Sequence, residues 1–216
     1  PKTAVFVQGN ISYVTYLESI TPKAASYPLH VIGGIRGLIT PKLSLNVSVG
    51  YANAFYSSGA STSGFGGSTF FEAQGTLTPT PTSRVVLGYH HDFANSVISS
   101  YYYDDSVYAS YVQQLGGRLA FDLSGRYSHR QYEGLLFDAP GTARADNAIS
   151  VGATLDYFIR NWIYAGVGYA LSANISDYHL PNMIVVDPVT MAMTSVPGAS
   201  VEYTKHQVFA RLGVTY

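Results

Sequence analysis

The sequence contains no cysteine, little charge and no long apolar run. Without cysteine there is no disulfide framework and no thiolate chemistry. Charged residues make up 12% of the 216 residues, against about 25% in an ordinary soluble domain. The net charge of −1 argues against a nucleic-acid partner, which calls for a basic patch. No stretch approaches the roughly 18 consecutive apolar residues of a transmembrane helix, and VIGGI (31–35) and MIVV (183–186) are far too short. Nothing ahead of Pro1 reads as a signal peptide, so the sequence is a mature form or a fragment.

What is present is apolar and aromatic: 47% hydrophobic residues and 19 tyrosines. The apolar residues fall at every second position, the period of a strand. Leu43, Leu45, Val47, Val49 and Tyr51 alternate with Ser44, Asn46, Ser48 and Gly50. Similar alternation predicts strands over 4–16, 29–39, 71–77, 84–93, 107–115, 119–130, 149–157 and 163–171, with a last one inside 201–216. Ten strands result. Their connections alternate between short turns (40–42, 78–82, 115–118, 159–161) and long loops, among them a Tyr/Asp-rich loop through Tyr101–Asp105 and the longest loop at 176–200. Transmembrane barrels have this asymmetry.

Tyr13, Tyr51, Tyr89 and Tyr127 recur every 38 residues, and Tyr169 follows after 42. A period near 40 also occurs in propellers, but a propeller blade holds four strands and only two fit here. The tyrosines read as the aromatic girdle of a barrel, where amphipathic rings sit at the headgroups; the plainer reading is the high strand propensity of tyrosine. Alternation also fits a soluble sandwich. The polar face decides in favour of lipid, because it carries small neutral side chains where a soluble outer face carries many Lys and Glu. The expected fold is therefore all-β, an antiparallel up-and-down transmembrane barrel of about ten strands spanning 1–216 as one domain. It is either complete or the C-terminal part of a larger barrel.

The charged and imidazole groups of the presumed inner face are Glu72, Arg84, His90, Asp92, Asp122, Arg126, Arg130, Asp156, Lys205 and Arg211. They read either as a pore lining or as ion pairs that fill a narrow barrel. His90 and Asp92 share a face and His91 opposes them, so the three do not converge on one ion, and a rim hydrogen bond is the simpler expectation. His129, His179 and His206 lack spaced partners, which leaves no zinc pattern. Asp104-Asp105 beside the tyrosines could hold calcium, a sugar or lipid-A-associated ions, or be a solvated loop. No catalytic constellation and no phosphate loop are present, so neither an enzyme nor a cofactor is expected.

The terminal VFARLGVTY, with Val208, Ala210, Leu212, Val214 and Tyr216 on one face, resembles the C-terminal signal of bacterial outer-membrane proteins. That resemblance implies an outer-membrane location, lipid and lipopolysaccharide as surroundings, and the barrel assembly machinery as a partner. Residues 40–134, from TPKLSLNVSVGY through SRVVLGYHHDFANS to LAFDLSGRYSHRQY, are similar to the β-barrel porins of myxobacterial exopolysaccharide export systems. This implies a conduit for polysaccharide or polar solute beside a periplasmic export or envelope protein. Those porins are nearly twice as long, with about eighteen strands. The other expectation is a closed structural or interaction barrel whose Tyr-rich loops bind a partner or a surface glycan. Ten strands predict a nearly blocked lumen.

Overall fold

The structure is a computed structural model that describes residues 2–15, 25–56, 67–96, 99, 101–133, 144–160, 162–179, 183–186, 193–196, 198 and 200–214. The strands are β1 Thr3–Ile11, β2 Ser26–Thr40, β3 Leu43–Tyr56, β4 Ser68–Thr80, β5 Ser83–Asn95, β6 Tyr101–Leu115, β7 Leu119–Glu133, β8 Arg144–Arg160, β9 Ile163–Ser176, β10 Met183–Val186, β11 Met193–Val196 and β12 Tyr203–Val214. Ten of them form one antiparallel sheet in the order β1 to β9, then β12; β10 and β11 pair separately as a two-stranded sheet. Every neighbour in the large sheet is the next strand along the chain, apart from the β10–β11 hairpin set into the connection to β12. Among the described residues β1 and β12 are free edges, and the sheet is not closed.

The short turns follow from their residues. Thr40 Oγ1 accepts the backbone N–H of Leu43 at 3.0 Å before β3 begins, and Thr80 Oγ1 meets Ser83 Oγ at 2.7 Å at the next hairpin. Gly116 and Gly117 bend the chain between β6 and β7 with φ of 58° and 71°, values that side chains other than glycine adopt reluctantly.

Two expectations about connections are corrected. Tyr101–Asp105 is not loop but the start of β6, paired with β5 and β7; tyrosine favours strands, and Asp104 has cationic neighbours. The long connection at 176–200 contains β10 and β11. The first strand is also shorter than expected and ends at Ile11. Of the terminal residues singled out above, Val208, Ala210, Leu212 and Val214 share one face of β12, while Tyr216 lies outside the described residues.

Burial is inverted relative to a soluble domain. Val7, Val208 and Leu212 are 80%, 83% and 81% exposed, whereas Ser26, Ser106, Ser128, Arg144 and Asp146 are buried. Among the described residues the buried apolar side chains are few, namely Ala52, Ala54, Phe70 and Phe93. In water this arrangement would forgo most of the burial that stabilises a fold.

Candidate functional site: the inner face and its rim

The polar face is the concave one, because its side chains reach over intervening strands. Gly88 pairs with Gln74 on one side and Tyr108 on the other. The Tyr108 hydroxyl passes over it and donates to Gln74 Oε1 at 3.0 Å. Gly166 pairs with Asp156 and Arg211, and Arg211 crosses over it to hold Asp156 through two nitrogens, Nε at 2.8 Å. A Cβ at Gly88 would overlap the Tyr108 ring, and one at Gly166 the Asp156 carboxylate that Arg211 holds. Phe6 lies against Gly34, and Phe209 against Gly168, each its direct cross-strand partner.

At the long-loop end, β2 and β5 touch. His30 Nε2 lies 3.1 Å from Asp92 Oδ1, and Asn95 Nδ2 donates to Ser26 Oγ at 2.8 Å. Three strand intervals separate these residues, about 14 Å on a flat sheet. Phe93 stacks on His30, with centroids 5.5 Å apart and rings 6° from parallel, and Tyr56 donates to Asn95 at 3.1 Å. Alternation placed Phe93 outward with Leu87 and Tyr89. It faces inward instead, at the point where Asp92 Oδ1 accepts its backbone N–H at 2.8 Å. Below this knot is a polar cavity of about 760 Å³ lined by Gln8, Arg36, Asn46, Glu72, Gln74 and His90. A second, of about 430 Å³, continues past Arg36 and Thr76 towards the short turns.

The ten charged and imidazole residues read from the sequence share this face but form no single site. Glu72 and His90 line the cavity, and His90 meets Phe70 edge-on at 5.4 Å. Asp92 binds His30. Arg126 and Arg130 both hold Asp104, at 3.1 and 3.2 Å, and Asp156 holds Arg211. Arg84 and Lys205 are exposed, and Asp122 is half-buried. Reading the sequence missed His30 and took Asp104 for a loop residue, a candidate ligand for an ion or sugar, where it is a partner of Arg126 and Arg130 on β6. His30 sits where the polar positions of β2 are mostly apolar or glycine, and Asp104 sits in a segment read as loop. It also missed Arg144–Asp146, in the extension of β8 beyond Tyr127's row. There Arg144 Nε donates to Asp146 at 3.0 Å and packs 4.5 Å from the Tyr132 ring centroid. Burial pushes the Asp146 carboxyl up, but hydrogen bonds from Arg144, Ser176 and Asn174 outweigh it and leave it below its ordinary value. Among the described residues no group of three His, Asp or Glu could hold a metal ion.

On the convex face the five spaced tyrosines are 36–58% exposed. The cross-strand row through Tyr13 meets β2 at Tyr27, whose β3 partner Phe55 lies four positions from Tyr51. The row through Tyr89 meets β3 at Val47, again four from Tyr51. Tyr89 and Tyr127 share a row through Val107, and the row through Tyr127 meets β9 at Ala173, four from Tyr169. The belt thus descends about 1.5 residues per strand, so it becomes level if the strands tilt by roughly 45°.

Comparison with known proteins gives no match among family models, curated proteins or solved structures.

Proposed function

We propose that the chain is a β-barrel of the bacterial outer membrane that acts as a structural or interaction barrel, its lumen capped at the long-loop rim. Four features support the membrane reading. The convex face is apolar, and the buried face is polar. The tyrosine belt levels at a tilt close to the 35–45° of barrels. The short turns descend in the same sense: Leu43 at the start of β3 pairs with Leu77, three before the end of β4, and Leu119 pairs with Tyr157, three before the end of β8.

The observation that favours a cap over a conduit is the His30–Asp92 bond. It draws β2 and β5 together at the rim, and the polar cavities beneath it then form a vestibule facing the short turns. Ten strands also enclose little more than their own side chains, since about eight leave none to spare and sixteen or more leave a channel. Lipopolysaccharide and the assembly machinery are the surroundings proposed for this barrel, and an envelope protein or surface glycan is the proposed partner of its loops. The resemblance to export porins supplies the competing proposal of an open conduit. Planar-bilayer recording of the purified protein separates the two: a capped barrel gives no conductance steps, and stable steps would sink it.

A further inference from the structure

One cross-strand row on the convex face is polar where its neighbours are apolar. His91, Asp105, His129 and Asn147 are consecutive partners across β5 to β8. Tyr89 donates to Asp105 Oδ1 at 2.5 Å, and His91 Nδ1 lies 2.7 Å from the same oxygen. The pattern repeats next door. Tyr127 donates to Asn147 Oδ1 at 2.7 Å, and His129 Nδ1 lies 2.9 Å from it. Since each shared oxygen only accepts, both imidazoles carry their hydrogen on Nδ1. Gln131 occupies His129 Nε2. Three groups are left for a ligand: His91 Nε2, the Asn147 amide NH₂ and the second carboxylate oxygen of Asp105.

Directly below this row, towards the short turns, the same wall is hollowed. A groove of about 680 Å³ runs between Leu87 and Tyr89 on one side and Tyr127 and Val151 on the other. Its floor is Val107, Ala109 and Gly125, and the surface is recessed there because Ala109 and Gly125 are small and directly paired. The volume falls within the range of ligand pockets, about 300–1,000 Å³.

We propose that this is a binding site for a zwitterionic amino-phospholipid. One acyl chain lies in the Ala109–Gly125 groove, the phosphate accepts from the Asn147 amide, and the ammonium donates to Asp105 and to the neighbouring His91 Nε2. An anionic phospholipid fits less well, because its headgroup has no cation to set against the carboxylate. An apolar groove alone would suit any chain; the mixed polarity of the row above it selects the headgroup. The site rests on the membrane reading above.

The test uses the full chain purified in detergent and exchanged into nanodiscs, with retained lipid counted by native mass spectrometry. The probes are phosphatidylethanolamine and phosphatidylglycerol of equal chain length. The expected result is one phosphatidylethanolamine per chain, held with a preference of about tenfold, or about 1.4 kcal/mol. Ala109→Leu fills the groove and should abolish retention, and Asp105→Asn should bring the preference to within about twofold. Equal retention of both lipids by the wild type, or unchanged retention in folded Ala109→Leu, overturns the site. Flotation with liposomes is read in parallel: a protein that does not float overturns the membrane reading itself, whereas one that floats without lipid preference overturns only this site.

Discussion

Asp156 and Arg211 are joined across a strand that lies between them, directly over Gly166. The bond ties β12 to β8 as well as to β9. A side chain at 166 cannot coexist with it, because an added Cβ would sit on the Asp156 carboxylate. Gly166→Ala should therefore destabilise the fold by about 1–3 kcal/mol, the cost of forcing atoms into an occupied space. Gly9→Ala is the control, since no heavy atom lies within 4 Å of its added Cβ. Thermal unfolding followed by gel mobility compares the two, and equal melting temperatures would count against the crossing.

The rim knot makes a second prediction. Asp92→Ala leaves His30 without its carboxylate and removes the Asp92 Oδ1 bond to the Phe93 N–H, at a cost of about 1–3 kcal/mol. The capped reading then expects conductance steps in a planar bilayer from the variant, where the wild type gives none. A silent but folded Asp92→Ala places the block elsewhere, in the ion pairs lower in the lumen.

A third concerns the two free edges. The row through Val7 crosses the sheet to Ile175 on β9, opposite the position of Glu202. With a descent of about 1.5 residues per strand over ten strands, closure demands a stagger of about 15 residues. Parity keeps the apolar faces aligned and makes the stagger about 14 or 16, so Ile11 should meet Leu212 or Val214. In a chain without cysteine, Ile11→Cys paired with Leu212→Cys or with Val214→Cys should form an intramolecular disulfide in one combination. Arg211→Cys, on the other face, should not. Cross-links only between molecules would refute the seam.

The buried Arg144–Asp146 pair predicts a pH dependence at the rim. The folded Asp146 carboxyl lies below its ordinary value, which is about 3.9 in an unstructured chain. Its stabilisation is therefore complete above that value and is lost as pH falls through the folded one. Asp146→Asn should melt lower than wild type at neutral pH, and the gap should narrow in strong acid. A constant gap over the titration would contradict the assignment.

The alternating strands were legible because a period of two survives in every segment that has one apolar and one polar face, as in Leu43–Tyr51. The strand order and the short turns near residues 41, 81 and 117 followed from that period together with the Pro and Gly between the strands. What sequence could not reach lies where the alternation breaks. Phe93 turns inward against its parity, and Tyr101–Asp105 continues as strand where charge and aromatic density suggested a loop. His30 was invisible because its partner is 62 residues away and depends on curvature, which no local pattern encodes. The glycines that carry crossing bonds had the same obstacle: Gly88 and Gly166 read as gaps in a polar face until their neighbours on both sides were known.

The sequential order of the sheet has a consequence for how the molecule is made. Each pairing from β1 to β9 joins segments adjacent in the chain, so the entropy of bringing them together is small and folding can proceed as a zipper. The β12 edge joins through the β10–β11 hairpin and is pinned by the bond over Gly166. In the proposed barrel the remaining step, β1 against β12, is then the one strand pairing between segments far apart in sequence. A kinetic defect confined to closure should accumulate a ten-stranded open sheet, and lengthening the β10–β11 hairpin should slow assembly only slightly.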